Sequence, residues 1–152
     1  MVENPRAAVL TGFGINCDVE TMAVFEMAGA EAQRVHVNKL VSGAESLEGF
    51  HILAVPGGFS FGDHLGSGRL LGNRLRFAIR EQVCDFVRSG KPVIGICNGF
   101  QILIETGLLP GVLLRNKKLR FLSKNVFLKV INIDNQFCFN YKNKDIIFID
   151  ER

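Results

Sequence analysis

Three apolar runs in this chain end in the same way. "AAVLTGFG" (residues 7–14), "HILAVPGG" (51–58) and "KPVIGICNG" (91–99) each carry hydrophobic residues straight into a glycine pair or cluster. The runs are continuous rather than alternating, as in strands buried on both faces of a parallel sheet. Helical patterns separate them. In "INCDVETMAVFEMAGA", Asp18 predicts a helix start, Val19, Met22, Ala23 and Phe25 the apolar positions, and Gly29 the stop. "EAQRVHVN" reads as a further strand. From Leu70 to Val87, residues Leu71, Leu75, Ala78, Ile79, Val83, Phe86 and Val87 form one helical stripe, with Arg74, Arg76, Arg80, Glu81, Asp85 and Arg88 opposite. A last helix runs from about Asn98 to Thr106 and stops at Gly107.

Strand–helix alternation of this kind predicts an α/β fold, a mostly parallel sheet with helices on both faces. In such sheets ligands sit beyond the carboxyl ends of the strands. The glycine clusters at 12–14, 57–58 and 95–99 all fall at such ends. After Gly111 the texture changes: "KLRFLSKNVFLKVIN" and "FCFNYKNKDIIFI" read as extended segments able to pair as a hairpin. No repeat or low-complexity linker interrupts the chain, so residues 1–152 are expected to form one domain.

Charge and cysteine usage narrow the function. Residues 1–110 carry 9 basic and 11 acidic groups and residues 111–152 carry 9 and 4, but the later basic residues are scattered among Leu, Phe, Val and Ile. That scatter suits solvated strand faces or a protein partner, not nucleic acid. No apolar run approaches the roughly 18 residues of a membrane helix, and "MVENPRAAVL" has no export leader. Cys17, Cys84, Cys97 and Cys138 lack Cys-x-x-Cys spacing and nearby histidines, which argues against zinc and against a disulfide framework. A reducing, cytoplasmic setting is expected.

Cys97 is the residue with chemistry in its surroundings. A tight strand-to-helix turn lifts its central residue out of the sheet and forces backbone close on either side. Small residues at −2 and +2 relieve that crowding, and Gly95 and Gly99 occupy those places. The positive end of the helix that follows favours a thiolate at Cys97. The N–H of Asn98 would face an oxyanion formed on an attacked carbonyl. An ordinary buried cysteine would need neither glycine.

"GICNGFQIL", "VPGGFSFGDHLGSG" and "TGFGINCD" together resemble the class I (triad) glutamine amidotransferases, in matching order over roughly Ala7 to Val130. The wording is closest to the members that serve the formylglycinamidine-forming synthetase of purine biosynthesis. The resemblance implies a flavodoxin-like α/β fold and a glutaminase in which Cys97 attacks the side-chain amide of glutamine. It implies an oxyanion hole from the backbone N–H groups of Asn98 and Gly58, and substrate contacts from Gly57, Gly58, Phe59 and Gln101. The ammonia would pass to a separate synthetase subunit. ATP and magnesium belong to that partner, so no cofactor or metal is expected in this chain.

The family's general base is a histidine oriented by a glutamate two residues later, well after the cysteine. Here His36, His51 and His64 all precede Cys97 and none lies in His-x-Glu. The resemblance therefore implies that residues 1–152 lack the part that carries the pair. His36 and His51 read as structural; His64, the only candidate substitute for the base, reads rather as a surface residue of the glycine-rich loop that holds Asp63, or as part of the contact with the synthetase. Cys17 matches a recurrent family position and reads as a turn and packing residue. Lys118 replaces an expected serine in "NKKLRF", which keeps Asn116, Arg120 and Phe121, and Asn125 stands where an aromatic is common. The alternative reading is a catalytically deficient subunit that binds the synthetase without efficient glutamine hydrolysis, since an acid–base group contributes about 10²–10⁴-fold. A thiol-dependent hydrolase or redox sensor on a similar fold is disfavoured by the pairing of "PGGF" with "GICNGFQ".

Overall fold

The computed structural model describes residues 4–12, 14–59, 80–114, 116–120, 125–130, 137, 140–141 and 146–149. The chain divides into two units, Met1–Leu113 and Leu114–Arg152.

Among its described residues the first unit holds four parallel strands, β1 (Arg6–Thr11), β2 (Glu31–His36), β3 (Ile52–Val55) and β4 (Val93–Gly95). Their order across the sheet is β2-β1-β3-β4. The described helices are α1 (Asp18–Met27), α2 (Val37–Val41), α3 (Arg80–Arg88) and α4 (Asn98–Glu105). From β1 the chain steps to β2 on one side, then returns to β3 on the other. With right-handed crossovers, such a reversal sends the connecting helices to opposite faces and leaves a crevice beyond the carboxyl ends of β1 and β3. The α/β expectation holds, and all three glycine-ended runs are strands of this sheet.

The core is built from Ala8 and Leu10 of β1, Val35 of β2 and Leu53 and Val55 of β3. Val83 and Phe86 of α3 and Ile102 and Leu103 of α4 pack into it. Val83 and Phe86 are the expected inward residues of their stripe, but Val87 is 42% exposed; Leu71, Leu75, Ala78 and Ile79 lie outside the described residues. Glu81, Asp85 and Arg88 are exposed, as expected of the opposite face.

Two elements differ from the sequence reading. The buried positions of α1 are Asp18 and Thr21, while Val19 is 51% exposed, Ala23 is exposed and Met22 and Phe25 are only half-buried. Asp18 faces inward because its carboxylate accepts from Arg34 Nε of β2 at 2.7 Å. An ion pair to the neighbouring strand thus decides the helix's rotation where apolar spacing does not. The end of the second strand run is also a helix: His36 Nδ1 accepts from the N–H of Asn38 at 3.1 Å and caps α2.

In the second unit, β5 (Val126–Lys129) pairs antiparallel with β6 (Ile146–Ile149), as the two extended segments suggest. Asn116 Nδ2 donates to the carbonyl of Arg120 at 3.0 Å, closing a local turn that includes Lys118, and Asn125 is exposed. Phe121 lies outside the described residues.

Candidate active site

The turn between β4 and α4 has the geometry its glycines require. Cys97 sits at φ 52°, ψ −111°, a backbone conformation rare for any residue with a side chain. The turn closes because the N–H of Ile96 donates to Val55 (3.0 Å) and that of Gly99 donates to Ile96 (2.8 Å). A Cβ on Gly95 would meet Leu103 Cδ1 at 2.6 Å and the Gly99 carbonyl at 2.7 Å. One on Gly99 would run into the carbonyl of Val55. Helix α4 therefore abuts the end of β3 only because these two positions lack side chains. Cys97 itself is free and exposed.

Asn98, the first residue of α4, is 2% exposed. Its side-chain Nδ2 donates to Gln101 Oε1 at 2.9 Å, so the two amides are held as a pair one turn into the helix. This places Gln101 one turn into the helix that Cys97 precedes.

The second half of the site is the loop after β3. A Cβ on Gly57 would lie 3.4 Å from Cys97 Cβ, so this loop rests against Cys97. The carbonyl of Gly57 accepts from the N–H groups of both Asn16 and Cys17 (each 3.3 Å), and the N–H of Phe59 donates to Gly14 (2.8 Å). These bonds flank an antiparallel bridge between Ile15 and Gly58. In a pair of this type the central residues' own N–H and C=O groups turn away from each other. The N–H of Gly58 thus points away from Ile15. Gly58 adopts φ 152°, and any side chain there would strike the Gly14 carbonyl. The Phe59 ring is 66% exposed.

Cys97, Asn98, Gln101, Gly57, Gly58 and Phe59 thus come together at one end of the sheet. The clamp formed by Gly14, Ile15 and Asn16 is a part the sequence reading missed. Its only signal is that "TGFGINCD" ends a strand at the same edge as "VPGGF". Cys17, read as a packing residue, lies at the surface with its Sγ 3.7 Å from the Gly57 Cβ position.

Neither described histidine reaches this site. His36 ends β2, three inter-strand spacings or roughly 14 Å from β4, and caps α2. His51 precedes β3 at its amino end and accepts from the N–H of Arg6 at 3.0 Å. Both are structural, as expected; His64, Asp63 and Cys138 lie outside the described residues. Cys84 is partly buried on α3. Among the described residues no group of three or more His, Cys, Asp or Glu could hold a metal ion, and no helix is long and apolar enough to cross a membrane. A hollow of about 420 Å³ lined by Leu47, Glu48, Gln82, Asp85, Phe86 and Lys91, among others, opens where β3 and β4 begin, away from Cys97. Its lysine already donates to the Glu48 carbonyl (3.0 Å) and lies over the Phe86 ring.

A parallel α/β sheet with a strained cysteine at the start of a helix, facing a glycine loop at a reversal of strand order, places the chain in the α/β class whose ligand crevice lies beyond the carboxyl ends of the strands. Residues 4–148 match the CobB/CobQ-like glutamine amidotransferase domain, and the chain belongs to that family. It is similar to the phosphoribosylformylglycinamidine synthase subunit PurQ of Dehalococcoides mccartyi, 44% identical over 79% of this chain and 47% of that protein. The PurQ subunit of Treponema denticola is 48% identical over 70% of this chain and 40% of its own length. That of Pyrococcus horikoshii is 39% identical over 93% of this chain and 60% of its own. Among solved structures, PurLQS from Thermotoga maritima superposes with a TM-score of 0.78 at 35% identity, covering 96% of this chain and 65% of that one. The chain spans about half the length of the curated relatives it matches.

Proposed function

We propose that this chain is the glutaminase component of a phosphoribosylformylglycinamidine synthase, working in purine biosynthesis. The observation that carries the reading is Cys97, held at positive φ at the start of α4 and pressed against the Gly57–Gly58 loop. Its sulfur attacks the side-chain carbonyl carbon of glutamine. The C–N bond breaks, ammonia leaves, and a γ-glutamyl thioester remains. Water then cleaves the thioester, giving glutamate and restoring the thiol. The oxyanion formed in each step is met by the backbone N–H of Asn98 and by that of Gly58, which the bridge turns away from Ile15. Gln101, its carbonyl held by Asn98, is left with an NH₂ donor for the bound glutamine. Phe59 stands at the mouth with its ring exposed. Neither described histidine stands beside Cys97 to move the proton.

The relatives' names and the likeness to PurLQS support a synthetase subunit as partner and acceptor of the ammonia. That partner would supply the ATP and magnesium chemistry. The test is covalent labelling with a diazoketone analogue of glutamine, read by peptide mass spectrometry. Modification is expected at Cys97, suppressed by excess glutamine and absent in Cys97→Ala. Labelling spread evenly over Cys17, Cys84 and Cys97, or indifferent to glutamine, would overturn the assignment.

A further inference from the structure

Two cysteines lie close to Gly57. The point where its Cβ would stand is 3.4 Å from Cys97 Cβ and 3.7 Å from Cys17 Sγ. Because Gly57 has no side chain, that point is empty, and the two cysteines come near it from different loops. Both are free and exposed, and each immediately precedes a helix, Cys17 before α1 and Cys97 before α4. The Cys17 sulfur makes one weak bond, to Asn16 Oδ1 at 3.3 Å, and its backbone N–H is held to Gly57 by a bond of equal length. Little holds this side chain in place.

We propose that Cys17 and Cys97 form a reversible disulfide across Gly57, with Cys17 resolving a peroxide-oxidised Cys97. The Cys97 thiolate attacks the terminal oxygen of a hydroperoxide, the O–O bond breaks, and the products are Cys97 sulfenic acid and an alcohol or water. The Cys17 thiol then attacks that sulfur. The S–O bond breaks, and water leaves with the hydroxyl group and the thiol proton. The two sulfurs lose two electrons, which the peroxide takes up. A small thiol reverses the bond by exchange. Pairing at Cys97 protects it from sulfinic acid, which thiols do not reverse, and withdraws it from glutamine chemistry while it lasts. The site stands on the geometry alone; its effect on ammonia release rests on the glutaminase reading.

The experiment treats the whole chain with hydrogen peroxide in thiol-free buffer, followed by non-reducing digestion and mass spectrometry. The expected product is a chain lighter by two hydrogens with linked Cys17 and Cys97 peptides. It forms independently of protein concentration and reverts with dithiothreitol. In Cys17→Ser, Cys97 should proceed to sulfinic acid, while its labelling by the glutamine diazoketone persists without peroxide. Cys84→Ser should change nothing. Sulfinic acid at Cys97 with Cys17 present, or linkage to Cys84, Cys138 or a second chain, would overturn the proposal. A Cys17–Cys97 link with no glutamine-protected labelling would leave the pair standing and defeat the glutaminase reading; the reverse result would do the opposite.

Discussion

At Cys97, chemistry and backbone make opposite demands. A side chain at φ 52°, ψ −111° costs about 1–3 kcal/mol, held in place by the surrounding structure. Glycine would remove that strain, partly offset by its greater freedom in the unfolded chain. Cys97→Gly should therefore raise the unfolding free energy by about 1 kcal/mol, measured by urea denaturation, while eliminating diazoketone labelling. Equal or lower stability would show that the turn is not strained. The neighbouring buried amide is tolerated because Asn98 donates to Gln101. Much of this was legible from the sequence, because a tight turn leaves its steric signature in its own neighbours, Gly95 and Gly99. The tie from Gly58 to Ile15 was not, since it joins loops 43 residues apart through backbone atoms that no side chain announces.

At the level of elements, α1 shows where periodicity misleads. Its sequence offers Val19, Met22, Ala23 and Phe25, yet the helix buries Asp18 and Thr21. A charge on an adjacent strand outweighs that pattern, and Arg34 cannot be recognised as its partner until β2 lies beside β1. Burial alone would raise the Asp18 pKa. Hydrogen bonds from Thr11 and from its own backbone N–H, with the charge and hydrogen bond of Arg34, outweigh it and hold the group below the ordinary 3.8. The folded protein thus binds this proton less readily than the unfolded chain. Its contribution is complete above the unfolded value and is lost as pH falls through the lower, folded one. Asp18→Asn should flatten the stability curve below about pH 3.8 and cost about 1–2 kcal/mol at neutral pH. Parallel acid curves for the two proteins would refute the linkage. Short α2 was hidden for another reason: five residues carry too little pattern to interrupt a strand-like run.

At the scale of the whole molecule, the main core cluster of the described residues lies between Ala8 and Leu103, all within the first unit. Val112 and Leu114, where the units meet in sequence, are 73% and 83% exposed. A chain of residues 1–113 should therefore unfold cooperatively in urea and keep its helical circular dichroism. A broad, non-cooperative transition would show that residues 114–152 are needed for the parallel sheet to form. The strand order also has a consequence during synthesis. β1 is made before the other described strands and is flanked on both edges, yet its partners, β2 and β3, begin 25 and 46 residues after it does. The nascent chain thus carries its apolar central strand exposed through the making of α1 and α2, and chaperones have their longest opportunity to act before residue 55 emerges.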